Sequence, residues 1–269
     1  MTKLRVISLG AGVQSTALSL MAAAGEITPM PDCAIFADTG AEPRAVYEHL
    51  DWLETVLPFP VHRTQSGGNL RTDIMKARKT GRFPLMPVPA YVAGGDGGMV
   101  ARSCTRDYKI RPIIKKVREL TGLTGKRAPK SVIVEQWIGI STDEAMRMKP
   151  SREPWIKHRW PLIEASRSRG SCIEWLKRNY PDRKVAKSAC TFCPYHSDAE
   201  WRSLTPVEFA DAVVVDKMIR GARQNIIAGK GELFLHRSMR PLDEVDLSTA
   251  EERGQLNLFL NECEGMCGV

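Results

Sequence analysis

Short apolar runs alternate with longer amphipathic stretches along the first 140 residues of the chain. The apolar runs predict buried strands at residues 5–9, 33–37, 61–63 and 132–140. Apolar positions at helical spacing predict helices at residues 14–24, 44–57, 69–77, 110–121, 171–179, 206–228 and 248–261. Strands that alternate with helices form a parallel sheet covered on both faces, so the predicted fold class is α/β with a twisted, mostly parallel sheet.

The pattern changes at two places along the chain. Residues 81–98 are rich in Gly and Pro, which predicts a long active-site loop. After about Pro150 the strand pattern fades, and helices, Trp and Arg dominate. We therefore predict two domains, residues 1–150 with the sheet and residues 151–269 as a helical region with a cysteine-bearing tail.

Residues 8–18 form a glycine-rich turn between the first predicted strand and the first predicted helix. Gly10 and Gly12 can take backbone angles that point N–H groups inward, and the helix N-terminus adds partial positive charge. Ser15 and Thr16 add hydroxyls. This pattern is typical of an anion-binding loop, although a tight turn without a ligand has it too. It is neither Walker A, since no Gly-Lys-Ser/Thr follows, nor Rossmann, since the third glycine is missing.

Polar clusters follow two other predicted strands. Asp38 and Thr39 follow one of them, and Gly139–Arg147 contain the other cluster. Ligands of α/β sheets bind outside the carboxyl ends of the strands, which favours a ligand at both places. The structural alternative is that Asp38 and Ser141 only cap the helices that come next.

Composition narrows the possible functions. A chain of 269 residues can bury a core without disulfides. No apolar run is long enough to span a bilayer, and the start lacks a signal-peptide pattern, so we expect a cytoplasmic protein with no membrane partner. The net charge of +8 favours an anionic partner, either a nucleotide or a nucleic acid.

The seven cysteines favour metal or catalytic roles over disulfides, because the number is odd and two lie in a Cys-x-x-Cys pair. Cys104 lies among four cations, which favour its thiolate form. Cys190 and Cys193 have the spacing of ligands to zinc or an iron–sulfur cluster, or of a redox dithiol. Cys33 is predicted to be an ordinary core thiol, and Cys172 either a core thiol or a further ligand.

Together, these motifs resemble in their order the phosphoadenylylsulfate (PAPS) reductase-like branch of the PP-loop ATP pyrophosphatases. That branch includes sulfonucleotide reductases and DNA phosphorothioation sulfurtransferases, and the chain is also similar to a small group carried by phages and actinobacteria. The resemblance spans residues 4–205. It implies an adenine nucleotide α-hydrolase-like fold, with ATP or a related adenylate lying across the carboxyl ends of the strands.

The resemblance also implies residue roles. Asp38 and Thr39 would lie near the adenosine, Gly139 would belong to the same cofactor-binding set, and Arg147 would reach toward the substrate phosphate or sulfate. Gln14 replaces the aspartate that is often linked to magnesium in the PP-loop pattern Ser-Gly-Gly-x-Asp-Ser. The binding of Mg²⁺ at this position is therefore left open. The phosphates would be held by residues of the turn: Ser8, Gly10, Ala11, Gly12, Gln14, Ser15 and Thr16.

The cysteines depart from the family pattern as well. Cluster-bearing sulfonucleotide reductases have a Cys-Cys pair plus Cys-x-x-Cys, whereas Ser103 precedes Cys104 here. Cys104, Cys190 and Cys193 would leave one iron of a 4Fe–4S cluster open, which resembles cluster-dependent tRNA thiolation enzymes. Cys172 could instead complete the ligand set, and zinc is the alternative metal.

The C-terminus contains Cys263 and Cys267. Sulfonucleotide reductases end in a Glu-Cys-Gly-like tail whose cysteine attacks the sulfur of the bound nucleotide, and Cys267 is similarly placed. The tail could therefore supply a nucleophile, ligate the cluster, or have no chemical role.

Three functions are consistent with these observations. The one we favour is an ATP-dependent, cluster-dependent sulfurtransferase that adenylates a tRNA or DNA acceptor and replaces oxygen by sulfur, with Cys104 and Arg147 as catalytic residues. The second is a sulfonucleotide reductase with Cys267 or Cys263 as nucleophile. The third is a non-catalytic nucleotide-binding or zinc-stabilised subunit. Neither the sulfur donor nor the oligomeric state follows from the sequence, and a homodimer stays open.

The helical second half contains basic and aromatic residues that would bind a polyanion. A solvated helix face has the same composition, so the two interpretations stand side by side. The residues are Arg159, Trp160, Arg167, Arg169, Trp175, Lys177, Arg178 and Lys187.

Overall fold

The computed structural model describes residues 3–80, 87–94, 98–100, 103–220, 231–249 and 252. The chain divides into two compact units, one formed by residues 1–66 and 108–188 and the other by residues 67–107 and 189–269. This division differs from the predicted boundary near residue 150, because a strand at Ile156–Arg159 pairs with the sheet of the first unit.

The strands and helices follow each other along the chain much as the hydrophobic pattern predicts. The strands are β1 (Leu4–Leu9), β2 (Cys33–Asp38), β3 (Val61–Gln65), β4 (Tyr91–Ala93), β5 (Val134–Ile138), β6 (Ile156–Arg159) and β7 (Glu232–Phe234). The helices are α1 (Val13–Ala23), α2 (Arg44–Val56), α3 (Leu70–Thr80), α4 (Arg111–Leu120), α5 (Pro161–Glu164), α6 (Arg169–Asn179), α7 (Asp198–Ser203) and α8 (Pro206–Arg220). A π-helical turn covers Thr105–Ile110, and 3₁₀ turns cover Thr142–Arg147 and Leu242–Glu244.

The first unit contains a five-stranded sheet in the order β3-β2-β1-β5-β6, with every neighbouring pair parallel. The chain moves outward from β1 to β3 and then returns to the other side of β1 for β5. The sheet therefore has its topological switch point between β1 and β5, where ligands of open α/β sheets bind. The predicted α/β fold class, with a mostly parallel sheet and a helical C-terminal part, is confirmed.

Alternation along the strands gives the sheet two apolar faces. Ile7 and Phe36 point into a core that also contains residues of α1, α2 and α6. Val6 and Ile35, one position away, belong to a core on the other side with residues of α4. Because both faces are buried, β1 and β2 are mostly apolar, which explains why the sequence predicts them well.

The second unit is built mainly from helices. β4 and β7 form an antiparallel pair, α3 is tied to α8 by an ion pair between Arg71 and Asp211, and α7 begins with a capping box at Ser197 and Glu200. In the predicted helix at 206–228, residues 221–228 lie outside the described residues, and so does most of the predicted helix at 248–261. Most of the Gly/Pro-rich segment at 81–98 is outside them too.

None of the helices in the described parts of the chain combines the length and the apolar character that crossing a bilayer requires.

Candidate functional site

The glycine-rich turn lies at the carboxyl end of β1, beside the switch point of the sheet. Ala11 stands where the PP-loop pattern has its first glycine, and it takes a left-handed φ of 56°. The Ser15 hydroxyl accepts a hydrogen bond from the Gly10 N–H at 3.1 Å and donates one to the Gly12 carbonyl at 3.2 Å. Gly12 is the N-cap of α1 and offers no side chain to its first amides. The first N–H groups of α1, which carry the partial positive charge of the helix N-terminus, are therefore not capped by a side chain of Gly12.

The end of β5 packs directly against this turn. A Cβ atom on Gly139 would lie 3.0 Å from both the backbone N and the Cα of Ser15, so only glycine allows this approach without movement of the backbone. The Gln136 side-chain amide donates to the Ser8 hydroxyl at 2.6 Å. This hydrogen bond joins β5 to β1 within the strands, before Gly139 and the turn. The structure thus brings Ser8, Ser15 and Gly139 together, and their role toward a nucleotide stays a prediction.

Thr16 has a partner in the interior. Its side chain is fully buried, and its hydroxyl lies 2.9 Å from Nε2 of His49 on α2. Burial, together with the charge of Arg183, lowers the pKa of His49 to about 4. The imidazole is therefore neutral at pH 7, and the pair links α1 to α2. A role of Thr16 toward phosphates stays a prediction.

Asp38 organises the turn after β2. Its Oδ1 accepts hydrogen bonds from the Gly40 N–H at 2.7 Å and the Tyr47 hydroxyl at 2.8 Å, and its Oδ2 accepts one from the Gln65 amide at 2.7 Å. Burial and the hydrogen bond to Asp38 raise the pKa of Tyr47 well above its usual value. Asp38 does not cap α2, because the N-cap position is Pro43.

Glu42 is a central residue of the site to which the sequence analysis assigns no role. Its side chain is fully buried. Oε1 accepts from the Lys109 ammonium at 3.3 Å and from the Thr39 hydroxyl at 3.5 Å, and Oε2 accepts from the Ser188 hydroxyl at 3.2 Å. Ser188 also borders the turn, since a Cβ on Gly12 would lie 3.8 Å from its backbone N. Nothing in the local sequence separates Glu42 from a surface glutamate, because Lys109 and Ser188 are distant in the chain.

Glu144 connects the turn to the 3₁₀ turn after β5. Its Oε2 accepts from the Gln14 amide at 3.2 Å, and its Oε1 accepts from Nη1 of Arg147 at 2.5 Å. A carboxylate therefore does lie beside position 14, although the turn itself has lost its aspartate. Nε of Arg147 is buried and has no hydrogen-bond partner among the described residues. A buried guanidinium N–H without an acceptor is costly, which favours an anionic ligand at this position.

Asp143, next to Glu144, has a structural partner. Its carboxylate accepts from the Arg169 N–H at 3.0 Å, at the start of α6. Burial opposes ionisation, but the hydrogen bond from the backbone of Arg169 and the positive charge of its side chain help to outweigh it, and the pKa of Asp143 lies below its usual value. This carboxylate therefore fixes the N-terminus of α6 to the segment after β5.

The predicted metal ligands occur in both units. Cys172 is fully buried in the core of the first unit, and burial raises the pKa of its thiol to about 11. In the second unit, the Cys193 N–H donates to the Cys190 carbonyl at 2.9 Å, so the Cys-x-x-Cys pair forms a tight turn. The Cys104 N–H donates to the Pro87 carbonyl at 2.7 Å, directly before the π-helical turn.

Within the parts of the chain that the structure describes, no three His, Cys, Asp or Glu side chains form a group that could hold a metal ion. The described residues therefore do not fit a 4Fe–4S cluster, zinc or Mg²⁺, and no chemical step is derived through one. The metal on Cys104, Cys190, Cys193 and Cys172 stays a prediction. Cys263 and Cys267 lie outside the described residues.

Several of the predicted polyanion-binding residues have structural partners in the first unit. Arg159 pairs with Glu164 at 2.7 Å, Arg167 pairs with Glu26 at 3.6 Å, and the indole N–H of Trp175 donates to Glu26 at 2.9 Å. These contacts join elements of the unit to each other. The binding of nucleic acid stays a prediction.

No family model matches the sequence, and no curated protein matches it either. Among solved structures, the chain is similar to phosphoadenylyl-sulfate (PAPS) reductase from Candida auris in its phosphate complex. The identity is 13%, the TM-score is 0.43, and the match covers 69% of this chain and 75% of that chain. A similarity of this size does not by itself assign an activity or a ligand.

Proposed function

We propose that the first unit binds an adenine nucleotide at the carboxyl ends of β1, β2 and β5, and that the protein is an enzyme of the PP-loop type. The observation that carries this proposal is the buried, unpartnered Nε of Arg147. It belongs to a side chain held by Glu144, which also binds Gln14 of the glycine-rich turn. A phosphate oxygen would satisfy this donor.

The turn supports binding of the phosphates. Its backbone leads into an uncapped helix N-terminus, where N–H groups and partial positive charge favour anions. Gly10 and Gly12 leave the approach to this backbone without side chains. We assign Asp38 and Thr39, at the end of the neighbouring β2, to the adenosine, which is the role that the resemblance implies.

The reaction we infer is adenylation of an acceptor oxygen. That oxygen attacks the α-phosphorus of ATP, the bond from the α-phosphorus to the bridging oxygen breaks, and pyrophosphate leaves. The amides of the turn and the guanidinium of Arg147 would stabilise the charge that develops on the phosphates, usually the largest electrostatic contribution to catalysis. Neither group has to move far, because the hydrogen bonds that they donate to Ser15 and Glu144 already fix them.

In its finer form the proposal is a sulfurtransferase: sulfur replaces the activated oxygen of a tRNA or DNA acceptor, and AMP leaves. The sequence supports this form because Cys104, Cys190 and Cys193 are one cysteine fewer than the cluster-bearing reductases have. Three ligands would leave one iron open, which resembles the cluster-dependent tRNA thiolation enzymes. The alternative reaction at this site is sulfonucleotide reduction, since the phosphates of PAPS would bind at the same place.

Nucleotide binding is tested by isothermal titration of ATP into the protein and into Arg147→Ala. We expect the variant to bind about 10- to 100-fold more weakly, because hydrogen bonds to charged groups contribute about 1.5–3 kcal/mol. Arg152→Ala, which removes an exposed arginine five positions later, is the matched control and should bind as the wild type does. Equal affinities of the two variants would contradict the proposed site.

The reaction is tested by two assays run on the same preparation. Release of pyrophosphate from ATP that depends on added tRNA or DNA, with sulfur appearing in the nucleic acid, supports the sulfurtransferase. Release of sulfite from PAPS with reduced thioredoxin, without use of ATP, supports the reductase. Nucleotide binding without either reaction would leave the non-catalytic subunit.

A further inference from the structure

A second group of chemically active side chains lies within the second unit and takes no part in the proposed nucleotide site. Ser238, His236 and Asp198 line a cavity of about 350 Å³, together with Arg237 and Arg240. β7 ends just before His236, and Asp198 is the first residue of α7. Three side chains from two elements thus meet at one cavity.

Hydrogen bonds connect these three side chains in a row. The Ser238 hydroxyl lies 2.8 Å from Nδ1 of His236, and Nε2 of His236 lies 3.1 Å from Oδ1 of Asp198. The Ser238 N–H also donates to Nδ1 at 3.1 Å, so Nδ1 is an acceptor. In the neutral ring the proton is therefore on Nε2, from which it is donated to the carboxylate.

His236 is buried and Ser238 is exposed. A base has to be held in a fixed orientation, and a nucleophile has to be accessible to the substrate. The His236 side chain is only 4% exposed, which fixes the ring, whereas Ser238 is exposed. Asp198 is partly buried, which opposes ionisation, but hydrogen bonds from His236 and Arg237 hold its pKa below its usual value. Asp198 is thus a carboxylate at neutral pH and can stabilise an imidazolium.

A purely structural explanation covers only part of this arrangement. The contact between Ser238 and His236 is local, and a hydroxyl can stabilise a turn in this way. A turn needs neither the bond from His236 to Asp198, 38 positions earlier in the chain, nor a cavity beside the hydroxyl. Nucleophile, base and orienting carboxylate follow each other in the order that activates serine in hydrolases, with the two ring nitrogens exchanged: here Nδ1 faces the serine and Nε2 the carboxylate.

We propose that Ser238 is the nucleophile of a second, hydrolytic site that acts on carboxylic esters with an anionic acyl group. The Oγ of Ser238 attacks the ester carbonyl, and its proton passes to Nδ1 of His236 while the carbonyl electron pair moves onto oxygen. The tetrahedral adduct collapses, the bond to the alkoxy oxygen breaks, and the alcohol leaves with the proton from Nδ1. Water then hydrolyses the acyl-serine by the same steps.

Charge at the cavity sets the substrate class. Arg237 and Arg240 both line it, as does Asp246, whose Oδ1 already accepts the Ser248 N–H at 2.9 Å. A carboxylate on the acyl group would pair with the two guanidinium groups. Arg237 also contacts Oδ2 of Asp198 at 3.1 Å, which leaves Oδ1 to His236.

The test uses the full-length protein, a fluorophosphonate probe and p-nitrophenyl hemisuccinate. We expect the probe to label Ser238, as located by peptide mass spectrometry, and Ser238→Ala to lose both labelling and ester hydrolysis. General base catalysis contributes about 10²–10⁴-fold, so Asp198→Asn should slow hydrolysis by at least about tenfold. Ser203→Ala is the control, because Ser203 is also exposed and, among the described residues, its hydroxyl donates to the Glu200 carbonyl alone.

Ser238→Ala should keep the melting temperature of the wild type, because the residue is exposed. A loss of hydrolysis of tenfold or more in this variant, with Ser203→Ala unchanged, supports the proposal. Any smaller loss, or absence of label on Ser238, overturns it. The nucleotide site is not involved in either measurement, so the two proposals stand or fall separately.

Discussion

Single residues decide how closely the segments of the candidate site approach one another. Gly139 has an ordinary place in the sequence, directly after an apolar strand, and only the structure shows the Ser15 backbone against it. Gln14 departs from the PP-loop pattern, yet its amide binds the carboxylate of Glu144, so the negative charge comes from another segment. Both contacts join positions that are more than 100 residues apart.

Gly139→Ala is expected to destabilise the protein by about 1–3 kcal/mol, because the new methyl group would lie 3.0 Å from backbone atoms that cannot rotate away. The variant should also weaken nucleotide binding, since the turn must shift. Urea unfolding and isothermal titration measure the two effects.

The matched control for this substitution is Gly170→Ala in the first turn of α6. A Cβ there would make only an ordinary contact, 3.6 Å from the Ser168 hydroxyl. Alanine is favoured over glycine in helices by about 0.8–1.0 kcal/mol, so this variant should be as stable as the wild type or more stable. Equal destabilisation of both variants would contradict the close approach of β5 to the turn.

At the scale of elements, the strands that the sequence predicts are those with the most apolar residues. β1, β2, β3 and β5 are confirmed where the apolar runs lie, whereas β6 has the sequence Ile-Lys-His-Arg and was missed. β6 is an edge strand that pairs only with β5, so it needs less apolar surface. The helix predicted at 110–121 is confirmed as α4, but a π-helical turn precedes it, and no periodicity indicates that turn.

The contact of Thr16 with His49 joins α1 to α2 and makes stability depend on pH. The pKa of His49 is about 4 in the folded protein and near 6.5 in the unfolded chain, so the unfolded state takes up a proton first as the pH falls. This contribution to stability is complete above about pH 6.5 and is lost between about pH 6.5 and 4, by roughly 3 kcal/mol at most.

His49→Gln should therefore flatten the pH dependence of the free energy of unfolding in this range. Urea unfolding of wild type and variant at several pH values between about 4 and 7.5 measures the difference, and carboxylates common to both proteins cancel in the comparison. Parallel curves for the two proteins would show that His49 does not have its lowered pKa.

At the scale of the whole molecule, two compact units are formed from alternating parts of the chain. Composition changes near Pro150, but the first unit continues through β6, α5 and α6 to residue 188. Residues 67–107, between β3 and α4, belong to the second unit. A boundary estimated from composition follows sequence order, whereas strand pairing and core packing do not.

The metal content of the whole protein stays a prediction, because the described side chains alone form no metal-binding group and Cys263 and Cys267 lie outside the described ranges. A cuboidal cluster on cysteine thiolates would make the anaerobically purified protein brown, with about four irons. Cys104→Ala should lose the colour. Cys33→Ala is the control, because Cys33 is buried in the core of the first unit and its thiol pKa is raised by burial to about 11. A colourless protein with zinc would contradict the cluster and leave Cys190 and Cys193 as structural ligands.

The sequence by itself determined the α/β fold class, four strands of the parallel sheet and the position of the glycine-rich turn, because buried strands and tight turns are encoded by neighbouring residues. It also indicated Asp38 and Arg147 as site residues, since both follow strand ends. Only the tertiary structure shows the contacts of Glu42, Glu144 and His236 with Ser188, Gln14 and Asp198. Each of these side chains is defined by partners far away in the chain, and no local pattern specifies which distant segments pack together.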